Sequence, residues 1–133
     1  MYTKDFTVEI VTPVEKKFSG TCQEIILPGI EGEMAVLGGH APLLTMLSPG
    51  VTVTVQGGER KVLSTGDGFA TIAENKVVCL VDFALSLEQL DFAALRSELA
   101  EVQEKLSASP GDVLLRAKKR QLEGKIKAEG HGA

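Results

Sequence analysis

The sequence predicts an α+β fold: an N-terminal antiparallel β-sandwich of about ten short strands, followed by a C-terminal antiparallel two-helix hairpin. Three observations predict it. Apolar residues alternate with a period of two up to about Leu85. Turn residues recur about every eight to twelve positions over the same stretch. Beyond Leu85 the apolar spacing switches to three and four. The domains are accordingly 1–85, the sandwich, and 86–133, the hairpin.

Phe6, Val8 and Ile10 alternate with Thr7 and Glu9, a half-buried strand closed by Thr12-Pro13. Residues 21–27 form a second strand, ended by Pro28-Gly29. Glu31-Gly32-Glu33 reads as a turn and Met34 to Leu37 as a short strand, with Gly38 to Pro42 as a break. Leu43 to Leu47 is a strand ended by Ser48-Pro49-Gly50. Val51, Val53 and Val55 alternate with Thr52, Thr54 and Gln56, and Gly57-Gly58 makes a hairpin turn into Arg60 to Ser64. Gly66-Asp67-Gly68 turns into Phe69 to Ala73, and Glu74-Asn75 into Lys76 to Val81. The continuous apolar run of that last strand predicts cover on both faces.

Ser86 with Gln89 fits a capping box. From there Phe92, Leu95, Leu99, Val102 and Leu106 form one apolar stripe on a helix that ends before Ser107. Ser109 caps the next helix, with Pro110 at its first position, and that helix runs to about Ala128. Its stripe is weaker: Leu115, Leu122 and Ile126, interrupted by Lys119. Gly124 costs it roughly 1 kcal/mol against Ala. The tail from Glu129 is expected to fray. A marginal second helix depends on what it packs against, which makes the hairpin a candidate mobile element. Periodicity alone favours two helices lying permanently on the sandwich.

The chain has 133 residues, 44% apolar and 24% charged, so it is globular. Aromatics amount to 5%, with no Trp, which counts against stacking on sugars or single-stranded nucleic acid. The net charge of −4 counts against general nucleic-acid binding. Residues 86–133 carry eight acids and eight bases, and six of those bases lie between Arg116 and Lys127. Cys22 and Cys79 sit in apolar runs and read as buried free thiols in a reducing compartment. Charges at Lys4, Asp5 and Glu9 without an apolar segment predict no secretory signal. No apolar run approaches a membrane span.

No catalytic constellation is present in the sequence: neither a P-loop nor Gly-x-Ser-x-Gly, and only His40 and His131 as histidines. No metal or cofactor is expected. Glu31 and Glu33 are paired carboxylates, but beside Gly32 they read as a solvated turn rather than an acid/base pair. His40 reads as a loop hydrogen-bonder. These three bracket one strand. If it crosses the sandwich once, they lie on two neighbouring loop ends, which suits an interaction surface.

Leu27-Pro28-Gly29, Glu31-Gly32-Glu33 and Gly39-His40-Ala41-Pro42-Leu43-Leu44-Thr45 together resemble the epsilon subunits of bacterial F-type ATP synthases. Val11-Thr12-Pro13, Phe18-Ser19-Gly20, Pro49-Gly50-Val51, Gly68-Phe69 and Val77 to Leu80 match as well, so the resemblance spans nearly the whole chain. It implies a non-catalytic rotor subunit of the central stalk. The sandwich would bind the gamma subunit and the membrane ring of c subunits, and the hairpin would fold on the sandwich or extend toward the alpha and beta subunits, restraining ATP hydrolysis. The location implied is the cytoplasmic face of the inner membrane, peripheral, with membrane contact only through the complex. Glu31, Glu33 and His40 match the region meeting the c-ring. Arg116, Lys118, Lys119 and Arg120 are candidates for contact with the catalytic subunits; the bland reading pairs this basic run with Glu98, Glu101 and Glu104, each pair worth well under ~1 kcal/mol.

Two positions depart from the family pattern. Gly38 stands where Pro is usual, which should loosen that loop. Some members bind ATP through Ile/Leu-Asp-x-x-Arg-Ala at the start of the first helix. Here Leu90 and Asp91 match, but Ala94 occupies the Arg position. Arg96 lies about 200° further around the helix, so ATP sensing by that route is not expected.

Overall fold

Alternation along the chain becomes register between strands. The computed structural model describes residues 4–131. Ten strands form: β1 (Phe6–Val11), β2 (Lys16–Cys22), β3 (Glu24–Gly29), β4 (Gly32–Leu37), β5 (Leu43–Leu47), β6 (Gly50–Gln56), β7 (Glu59–Thr65), β8 (Gly68–Ala73), β9 (Lys76–Val81) and β10 (Ala84–Ser86). They are hydrogen-bonded in the order β10-β7-β6-β3-β5-β8-β9-β1-β2, with β4 on the free edge of β3. Only the Gly29–Leu47 pair joins β3 to β5. The sheet folds there into two layers, β10-β7-β6-β3-β4 and β5-β8-β9-β1-β2. Pairing is antiparallel, as expected for the sandwich, except between β1 and β9, which run parallel.

The core lies between the layers. Ile25, Leu27, Val36 and Leu63 of one layer meet Val8, Ile10, Ala70, Ile72, Val77 and Cys79 of the other. Both cysteines are buried and free, as their apolar runs predict. Residues 21–27 do not form one strand. The chain breaks at Gln23, whose backbone N–H donates to the Val55 carbonyl while its side-chain oxygen accepts from the Gly57 N–H. This corner carries the chain from one layer to the other, which a period-two pattern does not register.

The hairpin comprises α1 (Phe92–Ala108) and α2 (Val113–Ile126). The Ser86–Gln89 box forms, with the Ser86 N–H and hydroxyl both donating to Gln89 Oε1, but it opens a single 3₁₀ turn at Leu87–Gln89. Leu90 then turns extended, and Asp91 caps α1 by accepting from the Ala94 N–H at 3.1 Å. Helix α1 runs through Ser107, whose hydroxyl donates to the Gln103 carbonyl. The second helix starts three residues later than Pro110, because Asp112 is its cap and accepts from the Leu115 N–H. The expected frayed tail is a 3₁₀ turn, Lys127–His131, with Ala128 fully buried. Gly132 and Ala133 lie outside the described residues.

Helix α2 and this last turn pack on β6 and β7. A second apolar cluster joins Val51, Val53, Ile26 and Val62 from the outer face of that layer to Leu87, Leu90, Phe92 and Ala128. Val51 and Val53 therefore serve the hairpin, while Thr52 and Thr54 point into the sandwich, where the Thr52 and Thr65 hydroxyls share a 2.8 Å hydrogen bond.

Candidate functional site

Strand β4 carries the predicted surface residues at its two ends. Ile30 and Glu31 make the two-residue turn between β3 and β4, and Glu33 pairs with Pro28 on the first rungs. Both glutamates are exposed, and neither forms an ion pair among the described residues. His40 follows the far end of the strand. Its N–H donates to the Leu37 carbonyl, and its Nδ1 lies 2.6 Å from the Ala41 carbonyl oxygen. Six strand residues span about 17 Å, so the structure does not bring His40 beside the glutamates. The His40 loop is tied instead to the β8–β9 turn, through the Gly39 N–H and Asn75 Oδ1. Gly38 is not loose: a Cβ there would collide with the Lys4 backbone carbonyl.

The outer face of the second layer is apolar and uncovered. Register aligns Met46, Phe69, Leu80 and Val11 across β5, β8, β9 and β1. The neighbouring row is Leu44, Thr71, Val78 and Glu9. Leu44 is 64% exposed and Met46 54%, and Phe69 and Leu80 are also open to solvent. Ile30, 62% exposed, joins this face because its N–H donates to the Met46 carbonyl. A single exposed Leu is ordinary, but a contiguous apolar row on a flat sheet face marks an interaction site. The signal was present in the sequence: the run Lys76 to Val81 predicts cover on both faces, and the folded chain supplies cover on one.

The degenerate ATP motif has structural duties. Leu90 packs under the hairpin, Asp91 caps α1, and the Ala94 N–H is the donor to that cap. Arg96 is engaged with both carboxylate oxygens of Glu129, at 2.6 and 2.7 Å. Of the four basic candidates, Lys118 pairs with Glu98 at 3.0 Å. Arg120 reaches the sandwich, donating to Asp67 Oδ1 at 2.5 Å and to Ser48 Oγ at 3.2 Å. Arg116 and Lys119 form no ion pair among the described residues, and they line a shallow groove between the helices. Lys125 sits 4.8 Å above the Phe83 ring, a further link from α2 to the sandwich. Among the described residues no helix is long and apolar enough to cross a membrane.

A family model described as the beta-sandwich domain of the ATP synthase delta/epsilon chain matches residues 5–86. The chain is 40% identical over 113 residues to the ATP synthase epsilon chain 2 of Nitrobacter hamburgensis, covering 84% of this chain and 83% of the relative. It is 40% identical over 116 residues to the ATP synthase epsilon chain of a Bradyrhizobium strain, covering 86% and 85%. Among solved structures it is similar to a chain of the Euglena gracilis mitochondrial ATP synthase OSCP/F1/c-ring assembly. There the TM-score is 0.83 at 25% identity, over 96% of this chain and 81% of that one. A chain of the Tetrahymena thermophila mitochondrial central stalk and c-ring shares the fold, with a TM-score of 0.63 at 15% identity, over 96% and 98%.

Proposed function

The chain belongs to the ATP synthase epsilon-chain family, and from that membership we propose that it couples gamma to the c-ring through two surfaces of its sandwich. It is a rotor subunit of the central stalk, with gamma and the c-ring as partners. Its place is in F1, on the cytoplasmic face of the inner membrane, and it supplies no catalytic group.

The observation that carries the docking role is the uncovered row Met46–Phe69–Leu80. Gamma covers this face, and burial of the row supplies the adhesion that a rotor joint needs under torque. Glu31, Glu33 and His40 meet the c-ring. Because they stand at opposite ends of β4, that contact runs along the strand and does not converge on a point. The hairpin is the adjustable part. Its basic run reaches the alpha and beta subunits only after Arg120 releases Asp67, an exposed pair worth about 1 kcal/mol or less. The single carboxylate of Asp91, already engaged as a cap, and the missing guanidinium at Ala94 argue against ATP control of that step.

The test is binding of purified full-length chain to gamma. Phe69→Glu should weaken binding at least tenfold, since a buried aromatic anchor typically carries ~2 kcal/mol. Phe69 lies on the outer face and is 36% exposed in the free chain, so the variant should stay folded with only a modest fall in melting temperature. Undiminished binding by this variant would remove the apolar face from the gamma joint.

A further inference from the structure

Arg120 of helix α2 reaches the rim of the apolar face. A groove of about 300 Å³ opens there, lined by Ile30, Met46 and Phe69 on the apolar side and by Asp67, Asp82 and Arg120 on the other. The two aspartates are held together by the Asp82 N–H, which donates to the Asp67 carbonyl at 2.9 Å. Arg120 comes from the hairpin and engages Asp67, while Asp82 has no cationic partner among the described residues. The groove is therefore complete only while the hairpin is docked, and it is continuous with the surface assigned to gamma.

Resting on that assignment, we propose that this groove reads the position of the hairpin: it receives a basic side chain of the partner covering the apolar face, and that side chain and Arg120 compete for the Asp67–Asp82 rim. With the hairpin docked, the groove holds two carboxylates and one guanidinium. A partner Lys or Arg entering beside Phe69 meets a like charge and finds only Asp82 vacant. With the hairpin lifted, both carboxylates are bare, and the same side chain meets two negative charges and no positive one. The partner thus binds the lifted form better, and by reciprocity its binding weakens hairpin docking by the same factor. The Arg120–Asp67 pair is half-exposed, with side chains 47% and 48% accessible, so the factor is modest, about two- to fivefold.

The experiment uses the full-length chain and gamma. Titration calorimetry measures affinity, and hydrogen exchange along β6, which the hairpin covers, reports docking. Gamma should accelerate exchange of Val51–Val55 about two- to fivefold. Arg120→Gln should bind gamma about two- to fivefold more tightly than wild type, and Asp82→Asn more weakly by a similar factor. Both effects should shrink at high salt. If wild type, Arg120→Gln and Asp82→Asn bind equally, the competition is disproved while the docking face stands. If wild type does not bind gamma at all, the docking face and this inference fall together.

Discussion

Cys79 lies between the two sandwich layers at 1% exposure, and burial pushes its thiol up to about 12 from an ordinary 9.0. The sign follows from which state holds the proton. Below pH 9.0 the folded and unfolded chains both keep it, so the thiol's stabilising contribution is complete there. Between 9.0 and about 12 the unfolded chain releases a proton that the folded chain retains, so stability falls as pH rises through that window. Cys22, also raised by burial, acts in the same direction. Cys79→Ala should therefore show a shallower loss of denaturation midpoint with pH across that alkaline window, although it starts from a lower stability. Parallel midpoint curves for wild type and variant would show that the thiol does not ionise on unfolding. At this scale the sequence was readable where a residue's environment follows from its own strand. Cys79 sits in an apolar run and is buried, as such a run implies. It was opaque where a side chain's partner comes from elsewhere. Arg96 pairs with Glu129, thirty-three residues on, and nothing in its local spacing announces that partner.

The helical hairpin shows the same division among its parts. The stripe Phe92–Leu106 was legible because helical periodicity is local, and Val102 is buried as that stripe requires. The helix starts were not, because Ser86 and Ser109 are as good caps by composition as Asp91 and Asp112, and the choice is made by where the chain leaves β10 and turns. Gly124 looked like a defect in a marginal helix. In the structure it is the point of closest approach to the sandwich: a Cβ there would fall 2.6 Å from the Pro49 carbonyl oxygen. Backbone stands on the other side, so no rotamer change relieves the clash. Gly124→Val should lift α2 from β6, costing the docked state about 1–3 kcal/mol. In hydrogen exchange, Val51 and Val53 should lose protection while the inner-core strands β8 and β9 keep theirs. Unchanged protection at β6 would mean that the helix shifts along Pro49 without leaving it.

The whole molecule is a sandwich with two apolar outer faces, one covered by its own hairpin and one left bare. That asymmetry explains why the fold was more legible than the site. Strand alternation reports that a side chain is apolar, not which body covers it. Val51 and Met46 are both apolar residues on outward faces, yet only Val51 is covered by this chain. The two faces also give separable consequences on truncation. Strand β10 pairs with β7 through Ser86, so a cut that spares the sandwich falls after Ser86 and not at Leu85. Such a truncated chain keeps the inner core intact, and Met46, Phe69 and Leu80 stay in register. It uncovers Val51, Val53, Ile26 and Val62, doubling the exposed apolar faces. It should therefore bind gamma at least as tightly as the full chain, yet self-associate in isolation, as sedimentation would show. In the assembled complex, removal of the hairpin should raise ATP hydrolysis, because the element proposed to reach the catalytic subunits is gone. If hydrolysis is unchanged while gamma binding persists, the hairpin's role is confined to covering β6 and β7.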